Sequence, residues 1–176
     1  MRLVLDASPL NHFARAKRVA TLGKMLDEDE AFVTDAVLDE LQAGVDRFPE
    51  LENLPSLEWL RRASVSSRDM LGVFAEYARL LGSGARGVGE AATLAWAECA
   101  DAVAIVDERA GTRAGKQRGV EVHGSIWLII RGYRQGHLDR AAAERLVDQL
   151  RDSEAWLPCD GTRLFQWATE QGLLDS

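Results

Sequence analysis

The chain has 176 residues, 47% of them hydrophobic and 28% charged, which suits one folded domain rather than a disordered or disulfide-stapled chain. Its 21 Lys and Arg against 28 Asp and Glu leave a net charge of −7, which argues against a general electrostatic binder of nucleic acid. The longest apolar runs fall far short of the roughly twenty residues of a membrane helix, the start turns acidic at Asp6 too soon for a signal peptide, and Cys99 and Cys159 form no CxxC pair, so a cytoplasmic protein with no membrane partner is expected.

Residues 2–5 are an apolar-biased run closed by Asp6 and read as a buried strand. Pro9 then suits the first position of a helix. Residues 31–33 are a second strand, followed by a helix capped by Thr34, with Asp35 in its first turn and Val37, Leu38 and Leu41 facing inward. Pro49 and Pro55 interrupt the next stretch, which ends on a short strand near residues 62–65. Leu71, Phe74, Ala78 and Leu81 have helical spacing. A glycine-rich loop, residues 82–89, leads into a helix from Glu90 to about Cys99. Residues 102–106 make the strongest strand, five apolar residues ending at Asp107. A basic helix, a last strand at 120–122, and two or three helices from Ser125 onward complete the chain.

Strands alternating with helices predict an α/β fold, a three-layer α/β/α sandwich around a short, mostly parallel sheet. Residues 1–155 would be the domain, and 156–176 a helical tail packed on it.

Sheets of this kind form their sites beyond the carboxyl ends of the strands, and two of the clearest strands end there in aspartates, Asp6 and Asp107. Either one alone also serves as a turn or cap residue. Glu40, a turn and a half into the second strand's helix, and Glu90, opening the helix before the strand that ends at Asp107, are placed to reach the same edge. A solvated face and the helix dipole are their ordinary explanations. Four carboxylates in one cleft repel and need compensation. With oxygen donors alone, and no His or Cys at ligand spacing, the compensating ion would be Mg²⁺ or Mn²⁺.

The runs Leu3-Val4-Leu5-Asp6-Ala7-Ser8-Pro9-Leu10, Thr34-Asp35-Ala36-Val37-Leu38-Asp39-Glu40-Leu41, Gly87-Val88-Gly89-Glu90-Ala91-Ala92 and Ala104-Ile105-Val106-Asp107-Glu108-Arg109 resemble, in order, the four acidic segments of PIN-domain nucleases. The glycine-any-glycine-glutamate form of the third is similar to a bacterial and archaeal branch with many VapC-type toxins. The resemblance spans roughly residues 2 to 155. It implies a PIN-like fold, a metal-dependent ribonuclease activity with RNA as substrate, and the toxin role of a toxin–antitoxin module. It also implies a cognate antitoxin partner and a homodimer. By the same resemblance Asp6, Glu40, Glu90 and Asp107 are the catalytic metal ligands, with Asp39 the alternative to Glu40. Ser8 and Asn11 would position a carboxylate or a water. Three residues depart from the branch, Glu108 after Asp107, Ser125 in place of threonine, and His123; they leave open how the fourth acid is tuned, with Glu108 and Ser125 as its candidate neighbours.

The middle third is the only basic one, with 9 basic and 7 acidic side chains in residues 61–120 for a charge of +2. Arg86, Arg109, Arg113 and Lys116 are the candidate RNA-backbone contacts there, and a solvated helix face is the plain alternative for the last three. Arg118 closes the same run. The GxGxxG match at residues 82–87 follows a helix rather than a strand, which argues against a dinucleotide fingerprint. The three histidines share no ligand spacing, and the five tryptophans fall on helical patterns that suit core packing. Two other classes compete with the nuclease. An aspartate-based phosphoacceptor or phosphatase would want DxD or adjacent acids after the first strand, where this chain has Ser8 two residues past Asp6. A non-catalytic RNA-binding module of the same fold would keep the acids without turnover.

Overall fold

The computed structural model describes residues 1–82 and 87–174. In chain order it has β1 (Arg2–Leu5), α1 (Ala7–Arg15), α2 (Val19–Met25), β2 (Glu30–Thr34), α3 (Asp35–Ala43), β3 (Leu60–Ala63), α4 (Arg68–Leu81), α5 (Gly87–Ala100) and β4 (Val103–Ile105). There follow α6 (Arg109–Gln117), β5 (Val122–His123), α7 (Ser125–Arg134), α8 (Arg140–Asp152) and α9 (Leu164–Glu170). Three short 3₁₀ turns, at Pro49–Leu51, Leu54–Ser56 and Gly161–Arg163, join them.

The five strands form one sheet in the order β3-β2-β1-β4-β5, and every pairing is parallel. Leu3 and Leu5 of β1, Ala31 and Val33 of β2, and Val103 and Ile105 of β4 point to one face. There they join residues of α1, α3, α7 and α8 in a single buried cluster. Val4 and Ala104, offset by one residue, point to the other face and pack with Tyr77, Ala91, Leu94 and Ala114. This period-2 alternation in strands that are apolar on both faces makes the three layers. The segment after residue 155 adds Leu157, Leu164, Phe165 and Ala168 to the larger cluster. No helix among the described residues is long and apolar enough to cross a membrane.

Thr34 caps α3 as its sequence predicts, its hydroxyl accepting the Val37 N–H at 3.3 Å. The first helix differs from expectation. It opens directly at Ala7 with Asp6 as its N-cap, which puts Pro9 third, still inside the turn whose amides need no helical partner. The third strand lies at 60–63 rather than 62–65. Leu60 and Ala63 are buried while Arg61 and Arg62 project from the sheet edge to pair with Glu30 and Asp35. The last strand begins two residues later than expected, and α2 has no counterpart among the elements that the sequence predicts. It is a two-turn helix held by buried Leu22 and Met25, too short to show a clear period in the sequence.

Candidate functional site

The strand order reverses between β1 and β4, which lie side by side, and a crevice at this point is where open α/β sheets bind ligands. Asp6 follows β1 directly. Its amide donates to the Ile105 carbonyl at 3.0 Å, tying the residue to the β4 side of the crevice. It is 4% exposed and makes no side-chain capping hydrogen bond within 3.5 Å, although the Ala7 and Ser8 amides lie on its carboxyl side. Its Oδ1 is buried with no partner. Glu90, in the first turn of α5, is 8% exposed, and its Oε1 is likewise buried without a hydrogen-bond partner. Asp6 and Glu90, with Ser8, Glu40 and Glu108, wall a cleft of about 330 Å³.

Two glycines let the helices carrying these acids close in. A Cβ on Gly89 would stand 2.7 Å from Glu40 Oε2, and one on Gly111 would stand 2.1 Å from Glu90 Oε1. Without side chains there, α5 comes against α3, and α6 against α5, close enough to put three glutamates and Asp6 on one cleft.

Burial and mutual repulsion act together on these groups. Burial raises the Asp6 carboxyl from an ordinary 3.8 to about 8; Glu90 and Glu40 push the same way, against the Ala7 and Ser8 amides. Burial, then the charges of Glu108 and Glu40, raise Glu90 from 4.5 to about 7, against the Gly111 amide. The folded protein therefore keeps protons that the unfolded chain releases above pH 4. Their stabilising contribution is complete below about pH 4 and is lost as pH rises to 7–8. In chelator, Asp6→Asn, which cannot ionise, should gain on wild type across that interval. Its Tm is expected to be roughly 5 °C higher than wild type at pH 8, with the advantage falling to a minor part of that at pH 5, by scanning calorimetry at both values. A constant difference at the two pH values would contradict the shift.

Asp107 is placed differently from the other candidate acids. Its Oδ1 accepts the Ser125 N–H and its Oδ2 the Ser125 hydroxyl, both at 2.7 Å. His12 Nδ1 lies 3.4 Å from Oδ2. The carboxylate thus anchors the first turn of α7, where the helix dipole favours an anion. Among the described residues Asp107 is not part of the cleft wall, whereas Glu108 is, and Glu108 is the foremost charge acting on Glu90. Of the two acids weighed on α3, Glu40 lines the cleft and Asp39 is merely exposed. Asn11 contributes a buried Oδ1 that makes no hydrogen bond. His12 is a neighbour of Asp107 that the absence of ligand spacing among the histidines conceals. Its four-residue spacing from Ser8, which puts both on one face of α1, was the available signal.

Arg109, Arg113 and Lys116 are exposed on α6. The Arg109 guanidinium lies over the Trp156 ring, 4.6 Å from its centroid. Arg118, which closes the basic run in sequence, does not join these three. It binds Glu98 through two nitrogens at 2.7 and 2.8 Å and also pairs with Glu76, so it ties α4 and α5 to the end of α6. Arg86 and residues 83–85 of the expected glycine-rich loop lie outside the described residues, while residues 87–89 are not loop but the first turn of α5, which starts at Gly87 rather than at Glu90. His123 stacks on Trp127 at 4.2 Å and bonds Glu121.

A family model described as a PIN domain matches residues 2–164. The chain belongs to the PIN-domain family. Comparison with curated proteins and with solved structures finds no match. PIN domains are generally nucleases and usually use divalent metals, and an RNA-binding role goes with the fold. In this PIN domain no group of three or more His, Cys, Asp or Glu among the described residues is arranged to hold a metal ion. The carboxylates share a cleft without closing on one point. The donor set nevertheless fits a hard cation such as Mg²⁺, which keeps several waters and takes few direct carboxylates. Two buried carboxylate oxygens with no other partner are the donors such an ion requires.

Proposed function

We propose that this PIN domain is an endoribonuclease that hydrolyses RNA phosphodiester bonds with Mg²⁺ or Mn²⁺. The observation that carries the reading is the pair of unpartnered, buried oxygens, Asp6 Oδ1 and Glu90 Oε1, in one cleft at the reversal of strand order. Asp6 and Glu90 would hold the cation, with Glu40 and Glu108 bearing on it from the same cleft. Asp107 would act beside them, fixing the start of α7 through Ser125. When bound, the cation supplies the Lewis acidity that offsets charge on the attacking and leaving oxygens of a phosphodiester. Ser8, on the cleft wall, is placed to orient a water or a phosphate oxygen by its hydroxyl. Arg113 and Lys116 would hold the RNA backbone, since neither has an ion-pair partner among the described residues.

The test is a Mg²⁺ and Mn²⁺ titration against a mixed RNA substrate with a chelator control. Cleavage that rises with metal and stops in chelator supports the reading. RNA binding without cleavage at any metal concentration assigns the cleft to a non-catalytic binding module. Arg113→Ala and Lys116→Ala together should reduce the slope of log affinity against log salt by roughly 1–2, measured by filter binding, with an unchanged slope counting against the backbone role.

The toxin role, in the cytoplasm and paired with an antitoxin, is proposed from the resemblance of Gly87-Val88-Gly89-Glu90 to the toxin branch, and a homodimer from the same source. A short DNA-binding-type protein encoded next door, whose addition suppresses cleavage, would support the toxin role.

A further inference from the structure

We propose that Trp156, with Arg109 laid on its ring, is a stacking subsite for an unpaired base of the RNA substrate, next to the acid cleft. This deepens the ribonuclease reading and rests on it.

Trp156 is 65% exposed, while Trp59, Trp96, Trp127 and Trp167 are each partly buried against a core cluster. Its exposure is built in. Ala155 and Leu157 on either side are both buried in the larger cluster, so the chain between them must turn the indole outward. The segment before it is held to α1: Glu154 pairs with Arg15 at 2.7 Å, and the Ser153 hydroxyl donates to the His12 carbonyl at 3.4 Å. The indole therefore stands on a fixed backbone, at the loss of the burial that a tryptophan ordinarily gains.

What surrounds it matches a nucleobase. A guanidinium plane and an indole face are the two protein surfaces on which unpaired bases stack without regard to sequence. Arg109 lies between Glu108 and Ala110 in sequence, and both of these line the cleft. A base held at Trp156 would thus belong to a nucleotide close to the phosphate at the acids. The exposed charges of Arg113 and Lys116 continue from Arg109 along α6, a polarity that favours a polyanion over a neutral apolar partner.

The experiment measures binding of a fluorescein-labelled, mixed-sequence single-stranded RNA to the full chain carrying Asp6→Asn, which keeps the RNA intact. It is repeated with an abasic strand of equal length and with duplex RNA. Adding Trp156→Ala should weaken single-strand binding about 10-fold. Trp156→Phe should restore most of it, and the abasic strand should bind both variants alike. Equal binding of the single strand by Trp156→Ala and its parent overturns the subsite alone. An effect of the same size on abasic or duplex RNA also overturns it, because the ring would then not be reading a base. Failure of both this parent and wild type with Mn²⁺ to bind or cleave any RNA overturns the ribonuclease reading together with the subsite; where the Asp6→Asn parent alone fails to bind, the same Trp156 comparison is read on wild type from the KM for single-strand cleavage. A Tm unchanged to within about 2 °C excludes a folding defect as the cause, as expected for so exposed a side chain.

Discussion

Replacing Asp6 by Asn is expected to abolish metal-dependent RNA cleavage, a loss on the order of 100-fold or more. Residues that only support a ligand typically cost 10- to 100-fold in metal affinity or activity, and Asp6 would bind directly. The substitution is nearly isosteric and keeps the amide that bonds Ile105, so the strand edge should survive it. What disappears is a buried carboxylate with an unbonded oxygen that directly follows β1 at the reversal of strand order. The same variant should lose the Tm increase that Mn²⁺ gives wild type at pH 8, because stabilisation by a ligand follows its affinity for the folded state. The two readouts separate outcomes. Retained cleavage would remove Asp6 from the chemistry. Lost cleavage with a full Mn²⁺-induced shift would leave Asp6 in the reaction but place the ion elsewhere. Glu108→Gln and Asp107→Asn belong in the same series. The first should weaken the Mn²⁺ shift. The second should mainly lower the metal-free Tm, since Asp107 holds both donors of Ser125.

Gly111→Ala should be the most damaging single-methyl change near the cleft. The added Cβ would lie 2.1 Å from Glu90 Oε1, 2.6 Å from Cδ and 2.9 Å from Cγ, so the whole end of the glutamate obstructs it. Alanine in a helix is worth about 1 kcal/mol over glycine. Overpacking a filled interior costs about 1–3 kcal/mol, and Glu90 is too buried to swing into water without moving α5 or α6. The clash wins, and the expected result is a Tm lower by several degrees and cleavage reduced at least about 10-fold. Shortening the obstructing group tests the cause: Glu90→Asp combined with Gly111→Ala should be more stable than Gly111→Ala alone, a non-additivity visible in a double-mutant cycle. Strict additivity would place the damage elsewhere in α6.

Much of this protein is determined locally. The apolar run before Asp6, the Thr34 cap and the apolar strand before Asp107 each state their structure within a few residues, because strand burial and helix capping are short-range effects. The alternation of such segments is enough for a parallel α/β/α architecture, and four acids in order on those elements point to the family. The boundaries of the edge strands and the two-turn α2 were less legible, since their limits depend on which neighbour they pair with or pack on.

Only the tertiary structure decided how the acids divide. In sequence Asp107 and Glu108 are adjacent and chemically alike. The start of α7 draws the Asp107 carboxylate to Ser125 and leaves Glu108 on the cleft. Arg118, equal to its basic neighbours along the chain, is claimed by Glu98 and Glu76 from two other helices. Trp156, one aromatic among five, is turned outward by the buried residues on both sides of it. The net charge of −7 likewise averages over groups that folding separates. Asp6 and Glu90 are buried where ionisation is resisted, while Arg109, Arg113 and Lys116 are gathered on one exposed helix. Charges interact through distance and solvent exposure, and both are set by packing rather than by order along the chain.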